Sequence, residues 1–468
     1  MFPSIWRTRP YTPTTYYLTS KTMKLPDGPK TPHLWQKIQY ITNPIGYLES
    51  SYQCYGDIFN APIIGNFQRL LLVSDPKGLQ QLFTRDTKEF YTPSNGLLQI
   101  IAGENSIFCL EGDSHRQERK LLMPSFHGDR MRAYGQTICT LTEQVFSSLT
   151  PGTTFSARSI VQEISLEIIL NVVFGIHEQE RFSQLKKLIT EFMDSFTSPL
   201  ISSLLFLPFL RKNLGEWSPW GYFRRLQQQI DQLLYAEISD RRTEYDPDRT
   251  DILTLLMLAE DEEGKGMSDQ QLHDELVTLL FAGHETTATA ISWALYWIHK
   301  HPEIGAKLLK ELDSLGDSPE PMSIFKLPYL TAVCNESLRI YPVAILTVPR
   351  EVKEPVDLMD YHLEPGTRVY GCIYLTHHRE DLYPQSKQFK PERFLERQYT
   401  PYEFFPFGGG SRRCLGEALA IFEMKLVLAT ILSNYQLALI EHQSVKPQRR
   451  GVTMAPSDGV KLVLQRRR

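Results

Sequence analysis

No run in the 468 residues approaches the ~20 consecutive apolar positions that a membrane-spanning helix needs. The N-terminal stretch MFPSIWRTRPYTPTTYYLTSK has no apolar segment of the kind a signal peptide carries, so export is not expected. The six cysteines, Cys54, Cys109, Cys139, Cys334, Cys372 and Cys414, include no Cys-x-x-Cys pair. Such spacing suits neither zinc nor a disulfide framework, and it points to a reducing compartment, the cytoplasm. Charge of one sign is not in excess either: 50 lysines and arginines face 54 aspartates and glutamates, for a net charge of −4. That balance argues against a general nucleic-acid binder. Internal repeats and low-complexity segments are absent, and 42% apolar with 22% charged residues excludes disorder for the bulk of the chain.

What is present has a mostly helical texture. Residues 11–32 are rich in proline, threonine and tyrosine and read as part of an extended lead-in over residues 1–33. A helix is expected over 34–55, then two short strand-like runs over 57–73 on either side of Gly65-Asn66. From 114 to 298 the signals are mainly helical, with the amphipathic period clear in LQQQIDQLLY, 226–235. Breaks at 241–250 and 261–266 are short enough to be helix connections. Past Glu364 the pattern changes: Pro365-Gly366 marks a turn, 367–374 is β-branched and aromatic, and 383–407 has no periodicity at all. A structureless run of that length is unusual unless it serves function. A further helix is expected over 415–433. The most apolar stretch outside a helix core is PLISSLLFLPFL, 199–210, which reads as a packed loop or short buried helix, or as a surface that dips into a bilayer. The expected class is mainly α with a minor β-sheet region (α+β).

The most informative segment is Phe407-Gly408-Gly409-Gly410-Ser411-Arg412-Arg413-Cys414-Leu415-Gly416. Three glycines permit tight turns and close approach of a flat ligand. Cys414 stands before a helix, where N-terminal amides favour a thiolate. Arg412 suits an anionic group on the ligand, and Gly416 leaves the first helical turn bare. A lone cysteine is usually a small buried hydrophobe, but five residue types at fixed offsets are another matter. The segment resembles the cysteine loop of the cytochrome P450 family, Phe-x-x-Gly-x-Arg-x-Cys-x-Gly, with Phe407, Gly410, Arg412, Cys414 and Gly416 filling every position. The resemblance implies haem b (iron protoporphyrin IX) as cofactor, Cys414 as the iron ligand and Arg412 at a haem propionate. A thiolate ligand favours O–O cleavage. It also implies the cytochrome P450 fold as a single large domain over 34–468.

Three further motifs follow in the order this resemblance implies. Glu336-Ser337-Leu338-Arg339 sets two charges on one helix face. Alone it would read as a solvated ion pair worth at most about 1 kcal/mol. With Arg393 of Pro391-Glu392-Arg393-Phe394 it resembles the family's structural Glu/Arg/Arg triad. Ala282-Gly283-His284-Glu285-Thr286-Thr287 is a polar patch inside the apolar run 276–298, and such a patch needs a reason. Gly283 would let a cofactor approach, and Thr286 can bond back to the carbonyl of Ala282 and bend the helix. The resemblance makes Glu285 and Thr286 the acid–alcohol pair that relays protons for dioxygen activation, with His284 facing away. His115 and Arg119, at i and i+4, and Arg350 occupy the remaining propionate-contact positions.

The implied reaction is monooxygenation of an apolar small molecule. Substrate contacts are expected, by family position, around 94–108, at Val343, Ala344, Ile345 and Leu346, and at Thr453 and Met454. The sequence is closest in texture to bacterial members related to long-chain fatty-acid and alkane hydroxylases, so a long-chain fatty acid is the expected substrate, with terpenoids open. Beyond the cysteine loop there is no flavin or iron–sulfur segment, so electrons are expected from a separate ferredoxin-type or flavoprotein donor. Arg412, Arg413, Lys425, Arg116, Lys120, Arg130 and Arg132 are the cations available to dock it. Peripheral membrane contact is left open by the 199–210 stretch. Two other readings compete: a peroxide-using peroxygenase or fatty-acid hydroperoxide isomerase, which would not need Glu285 and Thr286, and a non-enzymatic haem gas sensor, which would leave them idle.

Overall fold

The computed structural model describes residues 25–65, 67–93, 96–126, 128–175, 179–195, 215, 218–244, 246, 249–440 and 445–468. The 199–210 stretch and most of the lead-in lie outside the described residues. The rest is mainly helical with a minor sheet content, as the sequence predicts, and it divides into two compact units.

The first unit comprises Met1–Pro93, Ala344–Gln388 and Tyr399–Arg413. Where one helix is expected over 34–55 there are two, His33–Thr42 and Pro44–Tyr55. Pro44 cannot continue the first helix but is well suited to start the second, and Asn43 Oδ1 accepts from the Gly46 amide at 3.1 Å. The two predicted strands are β1 (Ile58–Asn60) and β2 (Leu70–Val73), paired antiparallel. They belong to a five-stranded sheet with β3 (Phe90–Tyr91), β5 (Arg350–Val352) and β8 (Arg368–Gly371), in the order β1-β2-β8-β5-β3. β2 and β8 run parallel, and every residue of β2 is buried, as central parallel strands usually are. Helix Pro76–Thr84 is started by Asp75, whose carboxylate accepts from the amides of Lys77 and Gly78. It sets Leu79, Leu82 and Phe83 into the same core as Leu71, Val73 and Val369. A hairpin of β6 (Val356–Leu358) and β7 (Tyr361–Leu363) adds Val356, Leu358 and Leu363.

The second unit comprises Ser94–Val343, Phe389–Gln398 and Cys414–Arg468. Its axis is the 32-residue helix Asp269–Lys300, opened by a capping box of Ser268 and Gln271. Around this long helix pack Ala157–Ile169, Pro219–Thr243, Pro328–Ile340 and Glu417–Asn434. Three strands, β4 (Thr154–Ser156), β12 (Lys461–Arg467) and β9 (Tyr435–Leu439), form one small sheet, and β10 (Pro447–Arg450) and β11 (Thr453–Pro456) a hairpin. Trp293 on the long helix is fully buried, and its Nε1 donates to the carbonyl of Met454 at 2.8 Å, pinning β11. The break expected at 241–250 opens only after Thr243, because Arg241 is buried and bonded to Glu237, Asp251 and Thr254. Among the described residues no helix is long and apolar enough to cross a membrane.

Candidate active site

The cysteine loop belongs to the first unit up to Arg413. Gly408 and Gly410 take φ of 72° and 69°, a region where other residues are strained. Gly409 has a different reason: a Cβ there would lie 2.4 Å from the ring of Phe83. Residues 410–412 form a single 3₁₀ turn. Phe407 is half-buried, and Arg412, also half-buried, donates from Nε to Thr92 Oγ1 at 3.2 Å.

One side chain that the sequence reading passed over organises this loop. Asp86 is buried, and its Oδ2 accepts from the Ser411 amide at 2.7 Å and from Ser411 Oγ at 2.9 Å. The same carboxylate takes Arg350 Nη2 at 3.1 Å and Nε at 3.3 Å. Arg350 is 1% exposed and also donates to the carbonyls of Gly409 and Val348, each at 3.0 Å. Arg350 thus grips the loop's own backbone, in addition to whatever it offers a propionate. Burial alone would lower its pKa; Asp86 offsets part of that.

In the second unit Cys414 is exposed, and the helix after it begins at Glu417 rather than 415, since Leu415 and Gly416 form a turn. A Cβ built on Gly416 meets nothing within 4 Å. On helix Gly112–Leu122, His115 is buried and Arg119 half-buried, while Arg116, Gln117 and Lys120 point outward, so the i, i+4 pair does share the inner face. Glu118 lies on that face as well, its carboxyl pushed up to about 7 by burial. Lys425, counted among the docking cations, is not available for docking: it is buried, and its Nζ donates to the Phe325 carbonyl and Thr331 Oγ1, each at 2.7 Å.

The long helix is buried over most of its length, yet Phe281, Ala282, Gly283, Glu285 and Thr286 are only half-buried. Thr286 Oγ1 donates to the Ala282 carbonyl at 2.6 Å. Glu285 does not stand beside this alcohol as a loose acid. It is ion-paired with Arg158 and accepts from Gln162 Nε2 at 2.7 Å, both on helix Ala157–Ile169. His284 also turns to that helix, its Nε2 lying 3.1 Å from the Gln162 carbonyl. The space at Gly283 is taken by protein: a Cβ there would lie 2.7 Å from Ile169 Cδ1, so helix packing accounts for this glycine where a cofactor's approach was expected. Ser165 Oγ reaches the His284 carbonyl at 3.3 Å and also bonds to Glu423 on the cysteine helix, whose carboxyl burial pushes up to about 8.

Glu336, Arg339 and Arg393 meet. Arg339 Nε and Nη2 donate to the two oxygens of Glu336 at 2.6 and 2.8 Å, and Arg393 Nε donates at 3.1 Å. The Lys390 amide adds a fourth bond to Glu336, at 2.8 Å. Glu336 and Arg339 have no exposed surface, so the aperiodic segment is fastened by a fully desolvated carboxylate. Of the substrate candidates, Val343 and Met454 are joined, carbonyl to amide, at 2.8 Å. Thr453 and Met454 are buried, and Ile345 is buried while Ala344 packs against the sheet's core. In 96–107 the Asn105 amide is held by Asp274 at 3.0 Å and the Ile107 amide by Glu275 at 2.6 Å.

The residues fit the flat, anionic iron porphyrin that the sequence implies. In the second unit the thiol is reachable, the turn after it is bare at Gly416, and Arg119 lies on the inner face of its helix; in the first unit Arg412 stands in the loop itself. Asp86, Arg158 and Gln162 escaped sequence reasoning because each acts across more than 100 positions and sits in no motif.

Known proteins similar to this chain belong to one family. The cytochrome P450 family model matches residues 26–463. Cytochrome P450 135B1 of Mycobacterium tuberculosis is 33% identical over 447 residues, 95% of this chain and 92% of that one. Cytochrome P450 138 of Mycobacterium bovis is 31% identical over 454 residues, 95% and 97%. Both are named for the family and neither for a substrate. A solved cyanobacterial CYP120A1 with bound retinoic acid superposes with a TM-score of 0.81 over 95% of this chain and all of its own, at 24% identity, a likeness of fold.

Proposed function

This chain belongs to the cytochrome P450 family, and on that premise we propose which residues run its chemistry and on what. As a member it is a haem-thiolate monooxygenase, an oxidoreductase with haem b as its prosthetic group. When bound, that group supplies the dioxygen chemistry and accepts the electrons.

Cys414 is the iron ligand in this reading, Arg412, Arg119 and Arg350 are the cations that offset the propionates with His115 beside them, and Ala282, Phe407 and Gly416 line the group. Asp86 holds Arg350 and Ser411 so that the loop is formed in advance. Thr286 holds a proton at its Oγ1, donated at rest to the Ala282 carbonyl. Glu285 is the acid that replenishes it. Its ion pair with Arg158 and its bond to Gln162 have to open for that, so helix Ala157–Ile169 governs proton delivery.

The substrate proposed is an apolar molecule, and within that class a long-chain fatty acid hydroxylated with electrons from a separate ferredoxin-type or flavoprotein donor. The observation that carries the apolar reading is the uncharged composition of Val343, Ala344, Ile345 and Leu346, joined at Val343 to Met454. Titration of the ferric holoprotein with a long-chain saturated fatty acid is expected to convert low-spin to high-spin absorption saturably. A normal haem spectrum that does not move would remove fatty acids and put terpenoids first, with the family assignment intact.

A further inference from the structure

Helix His33–Thr42 is turned inside out. Its inward residues are Gln36 and Tyr40, 0% and 3% exposed, while Leu34, Trp35, Ile38 and Ile41 are 71%, 53%, 42% and 45% exposed. At about 100° per residue, Ile41, Leu34 and Ile38 fall within roughly 60° of one another, with Trp35 about 60° beyond. The orientation is not negotiable, because three hydrogen bonds fix Gln36 inward. Its Nε2 donates to the carbonyls of Pro29 and Thr31, each at 2.8 Å, and its Oε1 accepts from Tyr47 at 2.9 Å. Rolling the helix to bury the aliphatic stripe would strand those groups. Scattered exposed apolar residues need no explanation, but four on one helical face do.

Charge indicates what covers the stripe. Residues 1–42 hold Arg7, Arg9, Lys21, Lys24, Lys30 and Lys37 against Asp27 alone, a net +5. The whole chain is −4, so the other 426 residues carry −9. An apolar, tryptophan-bearing helix face beside a cationic segment is the composition of an interfacial helix, which inserts its apolar side at the headgroup level and gains from anionic lipid. We propose that helix His33–Thr42 is the face by which this protein docks on an anionic membrane surface. The inference is independent of the oxidation chemistry and rests on a different part of the chain from the 199–210 stretch.

The test is co-sedimentation of the full-length holoprotein with vesicles of phosphatidylglycerol and phosphatidylcholine in equal parts, and with phosphatidylcholine alone. Binding to the anionic vesicles is expected, at least about tenfold tighter than to the neutral ones and weakening with salt. The double variant Trp35→Ser, Ile38→Ser is expected to lose at least about tenfold in affinity with its absorption spectrum and melting temperature unchanged, since both side chains are exposed. Three results would overturn the proposal. The wild type could ignore both vesicles. The variant could bind as well as wild type, leaving the basic lead-in as the sole attachment. Or sedimentation velocity could show a dimer that the variant breaks, without vesicle binding, giving the stripe to a second copy of the chain.

Discussion

Thr286 and Glu285 are adjacent in sequence and differ in what holds them. The threonine hydroxyl is bonded within its own helix, at the Ala282 carbonyl, whereas the glutamate is bonded across to another helix through Arg158 and Gln162. Replacing Thr286 with alanine removes a proton-bearing group without disturbing that second helix. Product formation should fall by about tenfold or more while reductant consumption continues and peroxide is released. Measuring product, reductant and peroxide together also separates the competing chemistry: an enzyme that uses peroxide would keep its product yield in the Thr286→Ala variant. At this scale the sequence was readable where a motif is local. Cys414, Arg412 and the Glu336–Arg339 pair lie within a few positions of their fellows. Asp86 was unreadable, because its partners Arg350 and Ser411 are 264 and 325 positions away and nothing in Arg85-Asp86-Thr87 marks it.

Among the elements, two polar junctions carry stability in ways that can be measured. The first joins the helix Pro328–Ile340 to the aperiodic segment through Glu336. Glu336→Ala takes from Arg339 the carboxylate bonded to its Nε and Nη2 at a site with no exposed surface, and breaking a buried pair of this sort costs about 3–5 kcal/mol. Low yield of soluble, haem-loaded protein is expected, and a normal yield with full haem would show that the triad is dispensable. The second joins helix Pro219–Thr243 to the long helix through His273, whose ring nitrogens lie 3.0 Å from Asp231 and 3.1 Å from Asp274, with Tyr235 stacked 4.4 Å away. Burial opposes charge on this ring, but the bonds to Asp231 and Asp274 outweigh it and raise the pKa from 6.5 to about 9. A cation whose folded pKa is raised stabilises fully below its unfolded value, and the contribution fades as pH climbs through the folded one. Denaturant unfolding should therefore show wild type ahead of His273→Gln by about 3 kcal/mol near pH 6, the gap closing between pH 6.5 and about 9. An equal gap at pH 6 and pH 10 would mean that His273 contributes by packing alone. Helical periodicity over 226–235 announces the first of these helices and the apolar run 276–298 the second, but their junction depends on tertiary contact and has no sequence signature.

At the scale of the whole molecule the class of architecture was legible in the sequence and its surfaces were less so. The division into helices and a minor sheet followed from periodicity and turn residues; β1 and β2 fall in the strand-like runs on either side of Gly65-Asn66, and β8 in the β-branched and aromatic run 367–374. Surfaces are harder, because a lysine in a charged neighbourhood reads the same whether it is buried or not. Lys425 is the example: a carbonyl and a threonine hydroxyl inside the protein hold it, which no spacing rule reveals. That leaves the donor-docking proposal on the exposed cations. Arg116 and Lys120 are 81% and 70% exposed and pair with Asp113 and Glu262 at 2.7 and 2.8 Å. Exposed pairs of this kind are worth little, so an acidic donor can exchange its own carboxylates for these at small cost. The screening length falls to about 10 Å at 0.1 M salt and shrinks further above it. Since the chain as a whole is −4, attraction of an acidic donor has to come from such local cations against a repelling background. The second-order rate with a ferredoxin-type donor should then fall several-fold, on the order of tenfold, between low and high ionic strength. Lys120→Glu should lower the rate at low salt and flatten the salt dependence, while leaving spectral titration with substrate unchanged. A wild-type rate indifferent to salt would place the donor's contact on an apolar surface instead, and the search for it would move away from helix Gly112–Leu122.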